Sequence, residues 1–119
     1  MTSNQQTVER YMDGFRRSDR ARILDCVTDD VEWEIPGAFR VRGREAFAGH
    51  IVDPGFEERP EITVARFVVE GNVVVAEGRV RTARVDGTVL HLAFCDVFEL
   101  RGGRIARLTS YLVPLNAQA

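Results

Sequence analysis

The apolar positions change period about halfway along the chain, and that change predicts the architecture. Near the start, Val8, Tyr11, Met12 and Phe15 recur at i, i+3, i+4 and i+7, the spacing of one face of an amphipathic helix over about residues 5–17. Ser18-Asp19 is a helix-start signal, and Ile23, Leu24 and Val27 form the apolar face of a second helix that Thr28-Asp29-Asp30 closes. Val31, Trp33 and Ile35 then alternate with Glu32 and Glu34, as a strand does, until Pro36-Gly37 stops it. Residues 43–51 return to helical spacing with Phe47 and Ile51 as anchors, before Asp53-Pro54-Gly55 and an acidic loop. Beyond Ile62 the period is two throughout. Strands are predicted over 62–69, 72–84, 88–100 and 104–115, joined by turns at Gly71-Asn72, Asp86-Gly87 and Gly102-Gly103, with a frayed tail after residue 115. The order ααβαββββ predicts an α+β domain in which three N-terminal helices cover one face of a curved antiparallel sheet. Three helices leave part of such a sheet uncovered, and the remaining concavity is a natural small-molecule pocket.

One residue interrupts the pattern. Leu90, Leu92, Phe94, Asp96, Phe98 and Leu100 share a face of one predicted strand, so a single carboxylate stands in an apolar stripe. It must find a partner, become neutral or face a cavity. Tyr11, on the apolar face of the first helix, is the second polar candidate, and Phe15, Trp33, Ile35, Phe94 and Phe98 are the expected wall. Tyr111 reads as a core residue, and His50 as a solvent-facing residue ending the third helix. Glu77, Arg79 and Arg81 read as an outward face.

Composition narrows the partners. The 119 residues make one domain, 1–119, and a net charge of −2 gives no electrostatic case for nucleic acid or anionic lipid. No apolar run approaches the ~20 residues that span a bilayer. Residues 1–6 are polar, without a signal segment, so the expected compartment is the cytoplasm. Cys26 and Cys95 are expected as two buried thiols, and without CxxC or ligand-spaced His and Cys there is no case for a metal.

Four segments in order, VERYMDGFRRSDRARI, TDDVEWEIPG, RGREAFAGH and FCDVFELRGGRI followed by Tyr111, resemble the nuclear transport factor 2-like superfamily, in particular its SnoaL-like, polyketide cyclase-like and ketosteroid isomerase-like members. The resemblance implies a cone-shaped sheet with the helices on its concave face, no cofactor, and a homodimer through the outer face, where Val73 and Val75 share a side. Ketosteroid isomerase pairs an aspartate base with an oxyanion hole of a tyrosine and a protonated aspartic acid. Tyr11 and Asp96 match the oxyanion hole, whereas Ile35 stands at the base position. Limonene-epoxide hydrolase holds an arginine between two aspartates, and the matching positions are Gly78, Val80 and Ser110. Ser110 also stands where SnoaL cyclases carry their acid/base aspartate. Scytalone dehydratase-like chemistry uses pocket histidines, and the chain has only His50 and His91. The expectation is a pocket for a small hydrophobic molecule with a carbonyl or hydroxyl oxygen, held by Tyr11 and Asp96 with Ser110 at its edge. Two alternatives remain: a cofactor-free isomerase, cyclase or lyase, or a binding module that has lost the family's catalytic base.

Overall fold

The computed structural model describes residues 3–51, 60–83 and 86–115. Helices α1 (Asn4–Arg16) and α2 (Arg20–Asp25) are followed by strands β1 (Val27–Ile35) and β2 (Phe39–Arg42) and helix α3 (Arg44–Gly49). Strands β3 (Glu61–Glu70), β4 (Val73–Ala83), β5 (Val89–Arg101) and β6 (Arg104–Pro114) complete the chain. The six strands form one sheet in the order β2-β1-β6-β5-β4-β3. The expected α+β cone is therefore the observed one, with three differences: strand β2, the start of β1 and the parallel β1–β6 pairing.

The first is β2. Its four residues, FRVR, pair antiparallel with β1 from Glu32–Arg42 to Ile35–Phe39, giving the order ααββαββββ. The second is the start of β1. Thr28, Asp29 and Asp30, expected to close α2, are strand residues, because Val27 pairs with Ile105 and the Ile105 amide donates to the Cys26 carbonyl at 2.8 Å. The β1–β6 contact is parallel, whereas the other pairings are antiparallel.

Local chemistry holds the helices in place. Ser3 and Gln6 form a reciprocal capping box at the start of α1. The Thr7 hydroxyl donates to the Gly103 carbonyl at 2.9 Å, tying α1 to the β5–β6 turn. Asp19 caps α2 by accepting from the Arg22 amide at 3.1 Å. Arg44 fixes α3 on β1, donating to the Val27 carbonyl at 2.8 Å and pairing with the Asp29 carboxylate at 3.2 Å.

The core lies between the helices and the concave face, where Val8, Ile23, Val27, Val31, Phe47, Val74, Phe98 and Ile105 have no exposed surface. Ser3→Ala should lower stability by about 1 kcal/mol, the usual worth of an N-cap, measurable as a urea-midpoint shift with unchanged slope.

Tyr111 is not in the core. It is 51% exposed, because the inward position on β6 belongs to its neighbour Ser110, which is 4% exposed. Tyr111 joins Val68, Val73 and Val113, all at least 36% exposed, on the four-strand sheet β3–β6. Ladder rows running Val68–Val75–Val97 and Cys95–Tyr111 connect this outer surface. Arg66 and Glu77 pair across it at 2.9 Å.

Candidate functional site

Asp96 stands in the middle of β5, between Ala76 of β4 and Ser110 of β6. The strand alternation that predicts its inward direction also puts Phe94 and Phe98 beside it, 4% and 0% exposed. One carboxyl oxygen, Oδ1, is buried and has no hydrogen-bond partner among the described residues. Removal from water disfavours the charged form and pushes the pKa up from 3.8 to about 7, although the Ser110 hydroxyl, which favours the charged form, works against the shift. Near neutral pH this carboxyl is held close to the balance between acid and carboxylate.

Tyr11 comes to the same place from α1. Its ring is 2% exposed and meets Phe15, Phe98 and Phe47 edge-on at centroid distances of 5.1, 5.4 and 6.3 Å. Burial raises the phenol's pKa well above 10, and the charges of Asp96 and Cys26 raise it further. Tyr11 is thus a neutral O–H donor at any ordinary pH.

Trp33 reaches the cluster from β1. Its ring packs on Phe47 at 4.7 Å, Phe39 at 5.2 Å and Phe15 at 6.3 Å. Its indole Nε1–H donates to Ser110 Oγ at 3.1 Å. The structure brings Tyr11, Phe15, Trp33, Phe98 and Ser110 around the Asp96 stripe, with Phe94 two residues along it. Ile35 lies at the far end of β1, half-buried opposite Phe39.

The other titratable groups are elsewhere. Glu32 pairs with Arg40 at 3.6 Å on the β1–β2 ladder. His50 caps α3, exposed, with its ring 4.3 Å from Phe39 and Nδ1 3.1 Å from the Ala46 carbonyl oxygen. His91 is exposed on the outer face. Burial raises the pKa of both Cys26 and Cys95, so neither thiol is activated. No cluster of His, Cys, Asp and Glu suited to a metal occurs among the described residues. Of the surface grooves, one of about 670 Å³ runs between α1 and β3 and one of about 650 Å³ lies beside α3; Asp96 and Tyr11 line neither.

The Trp33–Ser110 bond has no counterpart in the sequence reading. Both residues alternate inward on their own strands, but only the parallel β1–β6 pairing makes them neighbours. Trp33→Phe should keep most of the ring packing and lose this bond, costing about 1–2 kcal/mol of stability because Ser110 is left buried without a donor.

An α+β cone with a buried acid on its inner face, one oxygen of which has no partner among the described residues, is the class that fold and site define. The chain belongs to the SnoaL-like domain family, whose profile matches residues 8–108. Among solved structures, an NTF2-like protein of unknown function from Burkholderia pseudomallei superposes with a TM-score of 0.83 at 24% identity, over 95% of this chain and 92% of that one. A limonene-epoxide-hydrolase-like epoxide hydrolase from Mycobacterium tuberculosis does so at 0.79 and 21%, over 92% and 82%. TerC, co-crystallised with polyporic acid, does so at 0.80 and 22%, over 90% and 88%. At these identities the likeness is one of fold. No curated protein matches the chain.

Proposed function

We propose that this single domain binds a small, mostly apolar molecule through one oxygen, held between Asp96 and Tyr11 and enclosed by Phe15, Trp33, Phe94 and Phe98, with Ser110 at the edge. The observation that carries this reading is the buried Asp96 Oδ1 without a partner. An unsatisfied buried polar atom costs about 1–3 kcal/mol, and a site that binds an oxygen there recovers that cost only with its ligand in place. Two neutral donors facing one oxygen form an oxyanion-type pair, which favours a developing enolate. The chemistry that fits is cofactor-free isomerisation, cyclisation or elimination through an enol-like intermediate.

A second reading, a binding module without turnover, is favoured by Ile35, Val80 and Ser110 at the positions where relatives carry an acid or base. The experiment that tests the shared part is binding of substituted phenols followed by thermal shift. Asp96→Asn should fold and bind the phenolate forms roughly tenfold more weakly, a loss of about 1.4 kcal/mol; equal affinity in both proteins sinks the oxyanion reading.

The outer sheet face is read as a homodimer interface, on the strength of the exposed Val68, Val73, Tyr111 and Val113. Light scattering at micromolar concentration should give twice the chain mass. The compartment is read as the cytoplasm because Cys26 and Cys95 are unpaired thiols, and no helix among the described residues is long and apolar enough to cross a membrane. The reading invokes neither nucleic acid nor a cofactor.

A further inference from the structure

We infer that Trp33 and Ser110 are positioning residues that orient the Asp96 carboxyl as a hydrogen-bond donor, and that the ligand oxygen it meets is an acceptor without a hydrogen of its own, such as a ketone, quinone or enolate. The second half rests on the small-molecule reading above; the first does not.

An indole nitrogen only donates, so the 3.1 Å Trp33 bond uses Ser110 Oγ as an acceptor. The Ser110 hydroxyl keeps one hydrogen. Across the β5–β6 ladder its partner residue is Asp96, whose charged form it favours. The order of donors therefore runs one way, from the indole N–H to the Ser110 hydroxyl, and from that hydroxyl toward the carboxyl that faces it across the ladder. Three strands hold it in place, because β1 pairs with β6 and β6 with β5.

The consequence falls on the open oxygen. A neutral carboxyl that accepts from Ser110 has its own proton to give, and Oδ1 has no partner to take it. Phe94 and Phe98 beside it and Ala76 across from it offer no polar side-chain atom. Tyr11, the titratable group interacting with it from α1, is itself a donor. A ligand oxygen placed there meets two donors. A ketone satisfies both; an alcohol brings a third hydrogen with nowhere to go, and that mismatch is where buried sites discriminate most strongly.

The positioning half is tested without ligand, by following the Asp96 side-chain carboxyl through a ¹³C NMR titration of the whole chain. Ser110→Ala should move the midpoint upward by roughly one pH unit, because the charged form loses a hydrogen bond. Ser110→Thr should restore it, and Trp33→Phe should move it by less in the same direction. An unmoved midpoint in Ser110→Ala overturns this half. If that variant does not fold, a Trp33→Phe midpoint equal to that of the unsubstituted protein overturns it equally. The acceptor half is tested with 1-tetralone and 1-tetralol. The ketone should bind about tenfold more tightly near pH 6, and the preference should shrink as Asp96 ionises. Equal binding overturns the acceptor assignment. Failure of both probes to bind overturns it too and counts against the small-molecule reading itself, while the titration still decides the role of Trp33 and Ser110.

Discussion

Asp96→Asn should remove a loss of stability that the unsubstituted protein suffers between about pH 4 and pH 7. The carboxyl has a folded pKa of about 7 against an ordinary 3.8, raised by burial. Below pH 4 it is protonated in both folded and unfolded chains, and its burial costs nothing extra. Between the two values the unfolded chain ionises freely while the folded one stays protonated, so the unfolded state gains and stability falls as pH rises. Above about 7 both are ionised and the penalty is constant. Three units at 1.36 kcal/mol each set the full penalty at roughly 4 kcal/mol. An asparagine pays none of it but brings an amide whose own hydrogen bonds are incomplete, at about 1–3 kcal/mol. The variant should therefore match or fall below the unsubstituted protein at pH 4 and exceed it at pH 8. Urea midpoints at pH 4, 6 and 8 check this. Asp30 has a lowered pKa, first through its hydrogen bond from Arg101, so its contribution runs the other way and is lost as pH falls. It is common to both proteins and cancels in the difference. Parallel stability curves would show that Asp96 is not held neutral by its surroundings.

The elements and the odd residue were legible because both are expressed in local period. The i, i+3, i+4 spacing around Tyr11 and the two-residue spacing around Asp96 each determine a face, and the structure puts both faces inward. What sequence periodicity does not carry is which strand lies beside which. β2 is four residues with two apolar positions, too short for its alternation to stand out from a loop. The parallel β1–β6 pairing joins residues nearly eighty positions apart, and nothing local to Trp33 or Ser110 announces it. Tyr111 departs from its expectation for a related reason: residue type suggests burial, whereas strand parity assigns the inward position to Ser110. A polar serine is acceptable there because Trp33 donates to it and Asp96 faces it, and the first of these is again a fact about a distant strand.

Gly78→Ala should cost at least about 3 kcal/mol, at the upper end for overpacking, although it adds a single methyl group. A Cβ at this position would stand 2.0 Å from the Thr63 carbonyl oxygen and 2.9 Å from Val64 Cα. Both are main-chain atoms of β3, so no rotamer change relieves the clash; the strand itself must move. Gly78 pairs with Val64 where the β3–β4 register shifts between Val64 and Arg66, so the close approach belongs to a bulge that bends the sheet. Val80→Ala, two residues along the same strand, removes volume from a half-buried position and should cost only about 1–2 kcal/mol. Urea unfolding of the two variants separates the effects, and a Gly78→Ala midpoint no lower than that of Val80→Ala would mean that β3 yields easily. The same contact bears on function. By the sequence resemblance, Gly78, Val80 and Ser110 are expected to match the positions at which limonene-epoxide hydrolase holds an arginine between two aspartates. Here any side chain at 78 displaces β3 before it reaches the interior, and an aspartate at 110, though able to accept from Trp33, would bury a second acid beside Asp96. Rebuilding that triad by substitution should give an unfolded chain rather than a hydrolase, because it combines the clash with β3 at position 78 with a second buried acid at position 110.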